Sequence, residues 1–241
     1  MANRAAIVTG ASRGIGRAIA ELLGEEGYDL TLTARRPEGL AQVADELRGR
    51  GVAVEHVAAN LAQPDSVEQV VEAHRARFGR LDVLVNNAGV GIGAGAGEHE
   101  LKFIDMQLAV NLRTPILFYK HGLEMLRAAG AEHRGAVVVN LASIAALMSP
   151  PWLSVYAAAK SAVISYTRSM NKELANDGIK SVALCPGWVD TDMAEFMTDQ
   201  IPPDQMLPVS DVTEAVRFVL RVSPNCVVPE IVLGRPSETG L

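Results

Sequence analysis

Short runs of Val, Ile and Leu alternate along the chain with longer segments in which apolar positions recur every three or four residues. The runs at 5–9, 30–33, 52–58, 82–85, 135–141, 180–185 and 231–233 predict strands. Helical spacing predicts helices over 14–27, with Ile15, Ile19, Leu22 and Leu23 on one face, and over 37–50, 64–78, 101–129, 155–175 and 212–221. Pro115 is expected to interrupt the long stretch 101–129, whereas Pro37 opens its helix and Gly27, Gly51 and Gly79 close theirs. Near-continuous apolar strands, each followed by a helix, predict an α/β, doubly wound parallel sheet of about seven strands with helices on both faces. The alternation has no linker-like break, so a single domain over 1–241 is expected. Two stretches are irregular. Residues 89–97 are nearly all Gly and Ala and read as a flexible loop, and 188–210 carries three prolines. The polar tail 236–241 is expected to fray.

Composition narrows the function classes. With 241 residues, a net charge of −6 and 5% aromatic residues, the chain lacks the basic face and stacking platform of a nucleic-acid binder. The same charge argues against an anionic membrane surface, and no apolar run is long enough to span a bilayer. The N-terminal apolar run is too short for a signal peptide, so a cytoplasmic protein is expected. Cys185 and Cys226 exclude a disulfide scaffold, and the five histidines form no H-x-x-x-H pair and lie near no cysteine, so no metal site is expected.

The candidate chemistry lies at strand ends. The first strand runs into Thr9-Gly10-Ala11-Ser12-Arg13-Gly14-Ile15-Gly16 and then directly into a helix. Glycines there let the backbone turn tightly beside a pyrophosphate, and the helix N-terminus offers unpaired N–H groups. The second strand ends at Ala34-Arg35-Arg36, where an NAD site places an acid on the ribose 2′-hydroxyl. Arg35, converging with Arg13, suits a 2′-phosphate and favours NADP, with NAD possible. Tyr156 and Lys160 stand four apart on one helix face, where a cation lowers a phenol toward proton exchange near neutrality. Ser143 follows the Val-rich strand at the end where ligands bind in parallel sheets. Asn86-Asn87-Ala88-Gly89 also ends a strand, and Asn111 is a poor helix former inside a helix.

The order of these features, with Tyr156 thirteen residues after Ser143, strongly resembles the short-chain dehydrogenase/reductase family in its single-domain, NAD(P)-dependent branch. The resemblance implies a Rossmann-type fold and an oxidoreductase that moves a hydride between nicotinamide and a carbonyl or secondary alcohol. It implies Tyr156 as acid/base, Lys160 as the group that lowers its pKa and holds the nicotinamide ribose, and Ser143 as the holder of the substrate oxygen. Asn111 would fix a relay water to Lys160. Gly10, Ser12, Arg13, Ile15 and Gly16 match the pyrophosphate turn, and Asn87, Ala88 and Gly89 match the segment beside the adenine ribose. In Pro186-Gly187-Trp188-Val189-Asp190-Thr191, residues Pro186, Gly187, Val189 and Thr191 match the nicotinamide segment. The family also implies a homodimer or homotetramer, through the 101–129 helix and the helix bearing Tyr156.

The sequence departs from that pattern in places. Asn60-Leu61 replaces the usual Asp-Val or Asp-Leu beside adenine, an exchange that still leaves an acceptor oxygen. The C-terminus is short and resembles that of reductases of mixed substrate preference, which puts a fatty-acid-synthesis role in doubt. Pro150-Pro151-Trp152 is expected to stiffen the pocket wall. Residues 188–210 would form the substrate lid, and Met193, Phe196, Met197, Ile201, Met206 and Leu207, with Met148 and Trp152, are candidates for a largely apolar pocket. Packing of the lid onto the core is the competing reading of those residues. Two alternatives stand beside the reductase: a dinucleotide sensor or scaffold of the same fold, and an epimerase or dehydratase using the same Tyr and Lys.

Overall fold

The computed structural model describes residues 3–133 and 135–236. Seven strands, β1 (Ala5–Thr9), β2 (Asp29–Ala34), β3 (Val54–Ala58), β4 (Val83–Asn86), β5 (Ala136–Leu141), β6 (Ile179–Pro186) and β7 (Glu230–Leu233), form one sheet in the order β3-β2-β1-β4-β5-β6-β7. Every pairing is parallel. The α-helices among the described residues are α1 (Gly14–Glu25), α2 (Pro37–Gly49), α3 (Pro64–Phe78), α4 (Leu101–Leu108), α5 (Thr114–His133), α6 (Ala145–Met148), α7 (Ser154–Glu173) and α8 (Val209–Arg221). Beyond Pro236 the polar tail lies outside the described residues.

The two-residue period of a strand sends neighbouring apolar side chains to opposite faces. Val8, Leu32, Val85, Val139 and Val182 meet α1, α2 and α8 through Ile19, Leu23, Leu40, Leu47 and Val216. Ile7, Leu84 and Val138 meet α3 and α5 on the other face through Val70, Phe118 and Leu126. Each such side chain contributes about 1.5–3 kcal/mol on burial, which is why the central strands need apolar residues at both parities.

The long helical stretch departs from the expected break at Pro115. The chain stays helical there and instead widens into a π turn over Ala109–Arg113. Proline lacks an N–H and its ring crowds the carbonyl four residues earlier, which is that of Asn111. The disturbance therefore falls one turn ahead of the proline. The helix also continues past 129, to His133.

β1 and β4 are neighbours, with β2 and β3 extending one way and β5 to β7 the other. Connections leave in opposite directions on either side of this point, opening a crevice beyond the carboxyl ends of the strands.

Candidate active site

A cleft of roughly 1360 Å³ occupies that crevice, running from the turn between β1 and α1 to the start of α7. Gly10 and Gly14 adopt φ of +67° and +53°, values that L side chains rarely tolerate. A Cβ on Gly16 would lie 2.3 Å from the Gly10 carbonyl oxygen, so the turn closes only with glycine there. Ser12, Arg13 and Ile15 line the cleft beside these glycines. Among the described residues no side chain caps α1, so its first N–H groups are left to whatever enters the cleft.

Thr9 ties this turn to the next strand. Its hydroxyl donates to the Val85 carbonyl and accepts from the Asn87 and Ala88 N–H groups, the latter two at 2.9 Å. The Asn87 amide donates back to the Thr9 carbonyl at 2.8 Å. Asn87, Ala88 and Gly89 thereby face the cleft opposite the glycines. Arg35, Arg36, Asn60 and Leu61 line the same end. The Asn60 side-chain oxygen Oδ1 accepts from the Ala62 N–H at 3.3 Å, which leaves it a second lone pair. Arg13 does not converge on Arg35 as expected. Its guanidinium pairs at 2.6 Å with Asp192, on the far side of the cleft.

At the other end, Ser143, Tyr156 and Lys160 line the cleft together, with Pro186, Gly187, Val189 and Thr191 alongside. α7 carries Tyr156 and Lys160 on one face, and the buried Lys160 ammonium donates to the Leu141 carbonyl at 2.6 Å. It sits 5.7 Å from the centre of the Tyr156 ring. Burial lowers the Lys160 pKa to about 8, and the nearby Cys185 thiol opposes the shift. Burial raises the Tyr156 phenol above its ordinary value, and the Ser143 hydroxyl, bonded to it, pulls it partly back. The expected lowering by Lys160 is thus reversed here, because loss of water outweighs any field from an ammonium already bound to a carbonyl.

Asn111 lies just behind the cleft. Its amide is clamped to Val90, accepting from the N–H at 3.0 Å and donating to the carbonyl at 2.8 Å. A Cβ on Gly89 would meet both Asn111 Oδ1, at 3.1 Å, and Lys160 Nζ, at 3.5 Å, so the two groups face one small gap.

The loop 89–97 is a loop, as read, but a tethered one. Beyond the Asn111 clamp, the Ile92 N–H donates to Gln107 and the Ala94 N–H to the Trp152 carbonyl. Gly91 lies against the Tyr156 ring, and a Cβ on Gly93 would come within 2.3 Å of the Trp152 indole.

The apolar residues proposed for the pocket divide. Met148, Trp152, Met193, Phe196 and Met197 line the cleft. Ile201 and Met206 instead pack with Ala194, Met197 and Trp188 in a small cluster of their own, and Leu207 packs against the main core. Pro150-Pro151-Trp152 forms the entry and first turn of a 3₁₀ segment, Pro151–Leu153.

The sequence profile of the short chain dehydrogenases matches residues 4–202. The chain belongs to the short-chain dehydrogenase/reductase family. A 3-oxoacyl-acyl-carrier-protein reductase of Staphylococcus epidermidis is 36% identical over 207 residues, covering 85% of this chain and 82% of the relative. A solved 3-ketoacyl-acyl-carrier-protein reductase from Brucella melitensis, complexed with NADH, is similar at TM-score 0.86 and 31% identity, over 96% of each chain. A short chain dehydrogenase from Burkholderia cenocepacia in complex with NADP also has TM-score 0.86, at 30% identity over 96% of each chain.

For a short-chain dehydrogenase/reductase, an oxidoreductase, the sequence reading missed three residues of this site. Thr9 was passed over as an ordinary strand residue, although a hydroxyl at the last position of a buried strand was a signal. Gln107 was missed because its bond to Ile92 crosses 15 residues. Asp192 was missed because its partner lies 179 residues away. Cys185 is a buried thiol pushed up to about 12, chiefly by burial, and is inert as a nucleophile.

Proposed function

We propose that the protein is an NADP(H)-preferring reductase of carbonyl compounds, working reversibly on secondary alcohols, in one domain whose 188–210 segment is the substrate lid. The observation that carries this reading is the meeting of Ser143, Tyr156 and Lys160 at one end of a cleft whose other end is the uncapped α1 N-terminus. The glycine turn and the N–H groups of α1 fit a pyrophosphate. Ala34, in place of an acid, leaves room for a 2′-phosphate, and Arg35 supplies its counter-charge. Asn60, Leu61, Asn87, Ala88 and Gly89 hold the adenosine half, and Pro186, Gly187, Val189 and Thr191 hold the nicotinamide half.

When bound, the nicotinamide donates or accepts the hydride at the carbonyl carbon. In reduction, Tyr156 gives its phenolic proton to the carbonyl oxygen as the hydride arrives at carbon, and the phenolate is left behind. Ser143 donates a hydrogen bond to the same oxygen and keeps it beside the phenol. Lys160, cationic below about pH 8, stabilises that phenolate and binds the ribose. Asn111 holds the Val90 backbone and, through it, the gap beside Lys160 through which the proton is replaced. The family's homo-oligomers, often built on the 101–129 stretch and the helix bearing Tyr156, make a dimer or tetramer the proposed assembly.

The test is titration with NADPH and NADH, followed by NADPH oxidation across a panel of ketones and aldehydes. Tyr156→Phe is expected to lose more than about 100-fold in kcat while binding NADPH normally. Wild-type rates in that variant, or binding of neither nucleotide, would overturn the reading.

A further inference from the structure

We infer that the substrate end of the cleft selects an uncharged ketone carrying an aryl or alicyclic ring, and discriminates against acyl thioesters delivered on a phosphopantetheine arm. The inference rests on the proposed reductase reading and names the substrate class for that site.

Three aromatic side chains from two segments, Trp152 and the 188–210 stretch, stand together at the mouth. Phe196 meets Trp152 edge to face, with ring centres 6.0 Å apart at 90°, and meets Trp188 at 5.7 Å and 80°. Phe196 remains 61% exposed and Trp152 40%, so this apolar surface is open to the cleft they line. Met148 and Met193, also about half exposed, extend it. The surface is not fully consumed by packing: Trp188 rests on the small cluster of Ala194, Met197, Ile201 and Met206, while Phe196 and Trp152 stay outside it. The indole of Trp152 is also fixed. Gly93 leaves just the space it fills, and the Ala94 N–H holds its backbone carbonyl at 2.9 Å. A wall of rigid rings that present faces and edges favours a guest ring over a thin flexible chain, which loses more freedom on binding.

Charge points the same way. Residues 188–210 hold five carboxylates, Asp190, Asp192, Glu195, Asp199 and Asp204, with no Lys, Arg or His among them. All five are exposed, and Asp192 alone of them is paired, among the described residues, with a cation of the cleft. Just past the loop that holds Gly93, exposed Glu98 adds a further carboxylate, while Glu100 is paired with Lys102 at 2.7 Å. A phosphopantetheine arm carries anionic phosphate in either form, as a phosphodiester on a carrier protein and as a pyrophosphate in coenzyme A. The unpaired carboxylates of this acidic segment disfavour the approach of such an anion. Among the cations that line the cleft, Arg35 and Arg36 stand at the adenosine-binding end, Arg13 is paired with Asp192, and Lys160 is buried against the Leu141 carbonyl. The specificity implied here therefore differs from that named for the acyl-carrier-protein reductases this chain resembles.

The experiment compares acetoacetyl-CoA with ethyl benzoylformate and 4-tert-butylcyclohexanone, by NADPH oxidation and by direct binding. Both tryptophans of the chain stand at this mouth, so intrinsic fluorescence reports occupancy without turnover. The two ring ketones are expected to exceed acetoacetyl-CoA at least about tenfold in kcat/KM. 4-tert-Butylcyclohexanone is expected to perturb the fluorescence of the NADP-loaded protein saturably. Phe196→Ala, at an exposed position that leaves the fold intact, is expected to raise the ketone KM and this binding constant about tenfold, with NADPH affinity unchanged. Acetoacetyl-CoA as the better substrate, or a Phe196→Ala variant that binds the ketone as the wild type does, would overturn the inference while leaving the reductase reading standing. Saturable ketone binding lost in Phe196→Ala, without oxidation of NADPH by any compound, would uphold the ring selectivity and overturn the reductase reading instead.

Discussion

The guanidinium of Arg13 lies 2.6 Å from the carboxylate of Asp192 and so joins the glycine turn to the segment after β6 across the cofactor cleft. Both side chains are more than 60% exposed, and pairs of this kind contribute about 0–1 kcal/mol. A doubly charged 2′-phosphate beside Arg35 would compete with such a weak partner for the Arg13 guanidinium. Asp192→Asn releases the guanidinium. It is expected to tighten NADPH about two- to fivefold while leaving NADH unchanged, read by parallel titrations. Arg35→Ala is expected to weaken NADPH far more than NADH. Equal effects on both nucleotides would remove these arginines from the 2′-phosphate.

Pro115 acts on the site from a distance of one helical turn. By crowding the carbonyl of Asn111 it widens the helix over Ala109–Arg113, and that turn is where the Asn111 amide reaches both polar groups of Val90. Asn111→Ala leaves the Val90 N–H and carbonyl without these partners, a loss of about 1–3 kcal/mol. The expected outcome is a lower urea midpoint together with a reduced kcat. A variant that keeps both would show that the clamp holds neither the loop nor the chemistry.

How much of this was legible in the sequence depends on range. Strands such as Val83–Asn86 and Ala136–Leu141 were readable because burial on two faces requires consecutive apolar residues. Tyr156 and Lys160 were readable because four residues is a helix's own spacing. The break at Pro115 was placed wrongly because a proline's clash falls on the residue four before it. The four-residue helix Ala145–Met148 is too short to show a period. In 188–210, without a period, nothing distinguished Phe196, facing the cleft, from Met206, facing its own cluster. The direction of the Tyr156 shift was hidden for a related reason: spacing shows which charges are near, but burial comes only with the fold.

Lys160 gives the cofactor step a pH limit. Its ammonium is buried and its pKa is lowered to about 8, so the charged form prevails below that pH and is lost above it. Since kcat/KM reports groups of the free enzyme, kcat/KM for NADPH is expected to fall on the alkaline side with an apparent pKa near 8. Lys160→Arg, whose guanidinium stays charged, is expected to remove that limb even where it lowers the rate. A wild-type profile flat to pH 10 would mean that the ammonium is not needed in its charged form.

His74 sets a second limit, on stability rather than rate. It is fully buried, with Nε2 donating to the Arg80 carbonyl at 2.7 Å and Nδ1 accepting from the Thr31 hydroxyl at 2.8 Å, which makes it the neutral Nε2–H tautomer. Burial lowers its pKa from 6.5 to about 4. Between those values the unfolded chain binds a proton that the folded chain refuses, so stability rises with pH across this window and falls as the pH drops from 6.5 toward 4. The full difference amounts to about 3 kcal/mol at pH 4. Urea denaturation of the wild type and of His74→Gln at pH 7.5, 6, 5 and 4 separates this group from the carboxylates, which both proteins share. The variant is expected to be less stable at pH 7.5, having lost one of the two bonds, and the difference is expected to move by about 3 kcal/mol in its favour, closing or reversing the gap, as the pH reaches 4. A gap that stays constant from pH 7.5 to 4 would mean that His74 accepts its proton in the folded protein as readily as in the unfolded chain.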